Sequence, residues 1–153
     1  MEFIHYGADG FDYKKFRATL DYSPRYDKPA GLWASPLEPE EGFENVCSWK
    51  DWCEAEAFHT ERLEKSFKFR LRPEARVLVI RSLKDAEPYI LKGTASLFDY
   101  RFDLNRIYKD FDAMLVWMSQ NYCELHDFFL FYTWDVDSIC VWNSGVIELL
   151  PSE

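Results

Sequence analysis

Three short segments carry side-chain types that could act together on an N-glycosidic bond. They are His5-Tyr6-Gly7, Gly31-Leu32-Trp33-Ala34-Ser35 and Asp137-Ser138-Ile139-Cys140-Val141-Trp142. Breaking such a bond builds positive charge on the sugar, and a nearby carboxylate stabilises that charge. An imidazole can hydrogen-bond sugar hydroxyls or phosphate oxygens, and an indole face can hold a flat base or a pyridinium cation. The three segments therefore supply a histidine, an aromatic residue and an acid.

Each of these residues also has a purely structural interpretation. His5 stands in the apolar segment FIHY, where a histidine can simply be a hydrogen-bonded member of the core. Trp33 lies in the apolar run AGLWASP, which is typical of a buried strand. Asp137 can cap the turn that leads into the last strands. The sequence leaves both interpretations open for each residue.

The acidic balance of the chain argues against nucleic acid and anionic membranes as partners. The formal net charge is -9, whereas binding to phosphate backbones requires clustered Lys and Arg. A hydrophobic share of 48% with 29% charged residues is typical of one folded domain, which we expect to span residues 1–153. No stretch approaches the roughly 20 apolar residues of a membrane span, and the N-terminal residues lack a secretory pattern. We therefore expect a cytoplasmic protein.

The chain has four cysteines, Cys47, Cys53, Cys123 and Cys140. In a reducing compartment the simplest expectation is that all are free thiols. Cys123 and His126 have the C-x-x-H spacing that zinc sites use. Cys47 and Cys53 are too far apart to supply the other half of an ordinary zinc knuckle. No structural zinc is therefore expected.

An alternative metal site would use Asp135 and Asp137. Residues i and i+2 of a strand face the same way, so both carboxylates could hold a divalent cation, as the Asp-x-Asp pair does in many sugar-nucleotide transferases. The pattern is common by chance, and our expectation is that the protein holds no metal.

The segments that must position these residues predict an α+β fold. Apolar or alternating runs predict strands in FIHY, GLWAS, FKFRL, RVLVI, SICVW and VIELL. Ser48 with Asp51 predicts the capped start of a helix, and LNRIYKDF predicts another, whereas DAMLVWM fits either a continued helix or a buried strand. About five to seven strands, mixed irregularly with short helices, predict two packed, mostly antiparallel sheets. No Rossmann, P-loop or nucleophile-elbow motif is present.

The order of the three segments resembles the ADP-ribosyltransferase fold, in the branch whose site holds a histidine, an aromatic residue and an acid. The resemblance implies catalytic roles for His5, Trp33 and Asp137. The ligand-binding residues that it implies are His5, Tyr6, Gly7, Gly31, Leu32, Trp33 and Ser35. Two positions depart from the family's pattern, because Trp33 stands where the family has Tyr and Asp137 where it has Glu. An indole still stacks on a ring, but the Asp carboxylate is one methylene shorter.

The resemblance implies that NAD is the substrate or ligand and lies between the first strand and the GLWAS strand. An active enzyme would release nicotinamide and pass ADP-ribose to an unknown acceptor, such as a protein, or to water. Asp137 would then stand at the rim of the cleft, solvated at the start of its strand. Two alternatives stay open, namely a non-catalytic nucleotide-binding module and a protein-interaction module of the same fold.

Overall fold

The computed structural model describes residues 1–16, 28–93 and 100–151. This part of the chain is a mixed α+β structure, which confirms the expected class. Its strands are β1 (Glu2–Tyr6), β2 (Leu32–Pro36), β3 (Ser66–Leu71), β4 (Val77–Ile80), β5 (Ile90–Lys92), β6 (Tyr100–Phe102), β7 (Ala113–Val116), β8 (Ser138–Val141) and β9 (Ile147–Leu149). Its helices are α1 (Trp49–Ala55), α2 (Leu83–Ala86), α3 (Leu104–Asp110) and α4 (Tyr122–Asp127). Short 3₁₀ turns lie at Thr60–Glu64, Glu87–Tyr89, Met118–Gln120, Phe129–Phe131 and Ser144–Val146.

Seven of the described strands form one sheet in the order β4-β7-β8-β2-β1-β3-β9, and β5 pairs with β6 in a separate two-stranded sheet. The pair β4–β7 is parallel, and the other recorded pairs are antiparallel. Antiparallel pairing therefore predominates, as the sequence indicates. The sequence predicts two packed sheets. In the structure, β2 instead joins β4, β7 and β8 on one side to β1, β3 and β9 on the other, so these strands form one sheet.

The strand β2 pairs with its two neighbours through different halves of its length. Residues Leu32 to Ala34 pair with β8, whereas Ser35 and Pro36 pair with β1. The recorded pairing between β1 and β2 ends at Ile4. In the described part of the sheet, β2 therefore joins β4, β7 and β8 to β1, β3 and β9, and a space opens where β1 leaves β2.

The core lies on both faces of the sheet because side chains alternate along its central strands. On β7, Met114 and Val116 belong to a cluster with α3, α4 and the β5–β6 sheet. Ala113 and Leu115 face the opposite cluster, which also contains Phe3 of β1. Strands from both sides of β2 thus contribute to this second cluster.

The ambiguous run DAMLVWM is a strand. The helix α3 ends at Asp110, and Asp112 then binds two other segments of the chain through hydrogen bonds, one at Arg76 and one at Trp142 and Asn143. The predicted helix cap is also present, since Ser48 Oγ accepts a hydrogen bond from the Asp51 amide. Among the described residues, no helix has the length and apolar character needed to cross a membrane. All four cysteines are free.

Candidate functional site

A cavity of about 460 Å³ opens where β1 separates from β2. Its walls come from β1, β2, the start of α1, the turn at 58–62 and the segment 133–138 that leads into β8. The volume lies within the range of small-molecule sites, which are about 300–1,000 Å³. Of the three residues predicted to be catalytic, His5 and Trp33 line this cavity, whereas Asp137 does not.

His5 is held by the backbone of the neighbouring strand. Its Nδ1 lies 2.7 Å from the carbonyl oxygen of Trp33. A carbonyl oxygen can only accept, so this nitrogen carries the proton, and in a neutral ring Nε2 is then an acceptor. The bond forms one residue beyond Ile4, where the recorded pairing of β1 with β2 ends. This side-chain hydrogen bond therefore links β1 to β2 beyond the end of their backbone pairing, and it fixes the imidazole ring at the cavity wall.

Trp33 is both a core residue and a wall of the cavity. Its half-buried indole packs against the core cluster and meets the indole of Trp134 edge to face, with ring centroids 5.1 Å apart. Both indoles line the cavity. Trp134 is almost fully buried, so the half-buried Trp33 supplies the apolar ring surface that a flat heteroaromatic ring can contact in the corner where the two indoles meet.

The ammonium group of Lys28 occupies that corner. Its Nζ lies 5.6 Å from the ring centroid of Trp33 and 5.2 Å from that of Trp134, and it donates a hydrogen bond to the carbonyl oxygen of Thr133. Burial lowers the pKa of Lys28, and the negative charge of Asp135 opposes that shift. The two indole faces, the Thr133 carbonyl and Asp135 favour the charged form of Lys28, whereas its burial disfavours that form.

Another part of the cavity wall combines aromatic and cationic side chains. Trp49, Phe58, His59 and Arg62 line it. Ala57 and His59, on either side of Phe58, have φ angles of 51° and 48°. Residues with a Cβ rarely adopt this left-handed backbone, and strain of this kind gathers at ligand sites. The turn therefore holds Phe58 and His59 against the cavity at a cost in backbone energy.

Four of the seven residues predicted to bind ligand line the cavity, namely His5, Tyr6, Trp33 and Ser35. Burial raises the pKa of Tyr6, and the nearby Asp51 and Glu54 raise it further. Ser35 is almost fully buried, and its Oγ accepts a hydrogen bond of 3.0 Å from the Trp49 amide at the start of α1. The serine therefore anchors α1 as well as lining the cavity.

The other three predicted ligand-binding residues have structural roles. A Cβ on Gly31 would lie 2.4 Å from the Val141 carbonyl oxygen, so only glycine lets the chain approach β8 this closely. Leu32 is buried in the core. Gly7, with a φ of 104°, ends β1 in a left-handed turn. None of the three lines the cavity.

Asp137 lies at the start of β8 but is fully buried, with 0% exposure, rather than solvated at a rim. Its two carboxylate oxygens accept hydrogen bonds of 2.8 Å from the amides of Cys47 and Ser119. Its own amide donates to the Cys47 carbonyl at 2.9 Å. Asp137 therefore has a structural role, but not as the expected cap of the turn into the last strands, because its carboxylate ties the chain before α1 to the chain after β7.

The neighbouring acid, Asp135, lines the cavity instead. Its side chain is 35% exposed, and Oδ1 lies 3.9 Å from Nε2 of His126. Asp135 and Asp137 do not face the same way. The rule that residues i and i+2 share a face holds within a strand, and β8 begins only at Ser138. Among the described residues there is no group of three or more His, Cys, Asp or Glu side chains that could hold a metal ion.

Sequence reasoning missed several members of this cavity. Lys28, Arg62 and Trp134 were not singled out, and Asp135 was weighed only as half of a metal site. An available signal was TWDVD, where an aromatic residue and two acids directly precede a β-branched strand. Lys28 gives no such signal, because it reaches the cavity only through the fold.

No family model matches this chain, and no curated protein or solved structure matches it either. The described residues therefore define the class of this protein as a mixed α+β fold with an aromatic, partly cationic cavity between β1 and the segment before β8. The likeness to the ADP-ribosyltransferase fold stays a likeness of three short segments.

Proposed function

We propose that this protein binds a nucleotide, NAD or a close relative, in the cavity between β1 and the segment 133–138. The observation that carries the proposal is the meeting of the Trp33 and Trp134 indoles with Lys28 in one cavity. A nucleotide combines a flat ring with anionic phosphate. The half-buried Trp33 indole, packed edge to face against Trp134, suits the ring by stacking, and the Lys28 ammonium suits the phosphate.

The positions of other polar groups support the same ligand class. Arg62 also lines the cavity, and a guanidinium binds phosphate oxygens in pairs. His5 is fixed by its bond to Trp33 and can hydrogen-bond a sugar hydroxyl from the cavity wall. The resemblance to the ADP-ribosyltransferase fold points to the same two strands.

A second candidate function is cleavage of the bond between ribose and nicotinamide. The position of Asp135 favours it, because this carboxylate lines the cavity on the segment that precedes the predicted acid strand. A carboxylate there would stabilise the positive charge that builds on the ribose as the bond breaks. Nicotinamide would leave, and water or another acceptor would take the ADP-ribose. In this proposal Asp135 takes the role that the resemblance gave to Asp137.

Isothermal titration calorimetry with NAD⁺, NADH and ADP-ribose tests the binding proposal on the full chain. At about a hundred times its Kd, a ligand that binds only the folded state adds roughly 2.7 kcal/mol of stability, so the same ligands must also raise the Tm. Absence of both heat and thermal shift with all three ligands overturns the proposal. Release of nicotinamide from NAD⁺ by the wild-type protein separates the enzyme from the binder.

A further inference from the structure

The aromatic corner of the cavity already holds a cation of the protein itself. The Lys28 ammonium lies within 6 Å of both indole centroids, at 5.6 Å and 5.2 Å. Its hydrogen bond to the Thr133 carbonyl fixes it there. An indole face attracts a cation through its quadrupole, and here that attraction is satisfied from within the chain.

A second cation in the same corner would meet the first at short range. Two like charges a few ångströms apart repel strongly in a partly enclosed site, where the effective dielectric constant is far below that of water. The oxidised nicotinamide ring is such a cation, whereas the reduced ring, adenine and most other bases are neutral. The charge of the ring therefore decides how well it fits against Trp33.

We propose that Lys28 is a specificity-determining residue that makes the cavity select nucleotides with an uncharged ring over those with a pyridinium ring. The inference rests on the proposed function and narrows its ligand class. It favours a nucleotide binder over an enzyme that consumes NAD⁺, because the substrate of that enzyme carries the disfavoured ring.

The other charges around the cavity leave this preference in place. Asp135 partly offsets the charge of Lys28, but it also lies near His126. Arg62 adds a second positive side chain to the cavity lining. His59 lies beside Glu61, with 3.1 Å between His59 Nδ1 and Glu61 Oε1. The positive side chains of Lys28 and Arg62 thus favour anionic phosphate and a neutral ring.

The test compares NAD⁺ with NADH, which differ by one hydride and by the charge of the nicotinamide ring. We expect the wild-type protein to bind NADH about tenfold more tightly than NAD⁺. In Lys28→Met, which keeps an unbranched apolar side chain, the ratio of the two Kd values should fall close to one. In Lys28→Arg, which keeps the charge, the preference should persist. Lys84→Met removes the same charge from α2, outside the cavity lining, and should leave the ratio unchanged.

Each outcome either supports or overturns the role of Lys28 in selecting the ring. A ratio that follows the charge at position 28 and ignores position 84 supports the inference. Equal ratios in wild type and Lys28→Met, with both ligands bound and both proteins folded by their Tm, overturn it and leave the proposed function standing. A wild-type preference for NAD⁺ overturns it as well. If neither ligand binds any of the four proteins, the proposed function falls and takes the inference with it.

Discussion

The indole of Trp33 serves the core and the cavity at once, and this double use makes it the most informative side chain to change. One part packs against the core cluster, and another part lines the cavity beside Trp134. A truncation to Ala would mix loss of stability with loss of binding. Replacement by Leu keeps apolar volume in the core while removing the flat surface.

We expect Trp33→Leu to weaken nucleotide binding by about 1–3 kcal/mol, which is the contribution of one base–aromatic stack. The matched control is Phe111→Leu, an aromatic side chain that packs against the same core cluster but lies outside the cavity lining. It should lose comparable stability and bind nucleotide normally. Calorimetric Kd values and the Tm of both variants check this, and equal affinity losses in the two would contradict the ligand-stacking role.

The adjacent acids Asp135 and Asp137 should respond differently to the same substitution. Asp137→Asn must leave one of the Cys47 and Ser119 amides facing an amide NH₂ group, since Asn has only one accepting oxygen. We expect it to cost about 1.5–3 kcal/mol of stability. Asp135→Asn, at a partly exposed side chain, should change stability by less than about 0.5 kcal/mol.

Turnover separates the two acids further. If the wild type releases nicotinamide, Asp135→Asn should abolish release while NADH affinity stays within a few fold. The folded fraction of Asp137→Asn should retain release. The reverse pattern, with release lost only in Asp137→Asn at a temperature where it is folded, would restore the role that the family resemblance implied for Asp137.

Among the elements, the contact between Gly31 and β8 decides how closely β2 can enter the sheet. A Cβ at position 31 would lie 2.4 Å from the Val141 carbonyl oxygen and 3.0 Å from Cys140 Sγ, so a backbone must move. We expect Gly31→Ala to destabilise the protein by about 1–3 kcal/mol through overpacking. Gly10→Ala, where a Cβ meets nothing within 4 Å, is the control and should be close to neutral. Urea midpoints measure both, and a neutral Gly31→Ala would show that β2 can shift freely.

The hydrogen bonds of Asp112 join the starts of β4 and β7 to the end of β8. Its carboxylate accepts from the Arg76 amide at 2.9 Å and from the Asn143 side chain at 2.9 Å. Burial alone would raise the pKa of Asp112, but the hydrogen bonds from Arg76 and Asn143 outweigh it and hold the pKa below its ordinary value. Asp112 therefore contributes to the free energy of unfolding at pH values above the pKa of an unfolded Asp, which is about 3.9. This contribution is lost as the pH falls through the lower pKa that Asp112 has in the folded protein.

Asp112→Asn should accordingly cost about 1–3 kcal/mol at pH 7. The difference from wild type should shrink as the pH falls below about 4, where the wild-type carboxyl becomes protonated too. Urea unfolding at several pH values measures this. Asp110→Asn, at an exposed i,i+4 partner of Arg106, should change stability by at most about 0.5 kcal/mol. A cost of Asp112→Asn that is independent of pH would contradict the charge-based account.

The elements were predictable to the extent that local pattern fixes them. The runs FIHY, GLWAS, FKFRL, RVLVI and SICVW are strands because their apolar residues fill one or both faces of the sheet. The division of β2 between β8 and β1 was not predictable, since it depends on where pairing stops rather than on residue type. That Asp135 rather than Asp137 lines the cavity was not predictable for a similar reason. The strand β8 begins one residue after Asp137, and the Asp137 carboxylate accepts hydrogen bonds from the backbone of two neighbouring segments.

For the molecule as a whole, the net charge of the chain is negative, whereas the charged side chains that line the cavity are mostly positive. The chain carries a net charge of -9. The cavity is nevertheless lined by two positive side chains, Lys28 and Arg62, and by one acidic side chain, Asp135. Net charge acts over long distances and disfavours polyanions, whereas a mononucleotide or dinucleotide is held by contacts within the cavity. The acidic composition therefore argues against nucleic acid without arguing against a nucleotide.

The indole NH resonances of the six tryptophans test the cavity assignment most directly. Three of these residues line the cavity, namely Trp33, Trp49 and Trp134. Trp117 and Trp142 are buried elsewhere in the core. In a titration of the ¹⁵N-labelled protein with NADH, followed by ¹H–¹⁵N spectra and assigned by single Trp→Phe variants, the signals of Trp33 and Trp134 should shift most and saturate with the calorimetric Kd. Trp117 and Trp142 should stay in place. Saturating binding that leaves Trp33 and Trp134 unmoved, or no shift of any indole signal, would contradict a nucleotide site in this cavity.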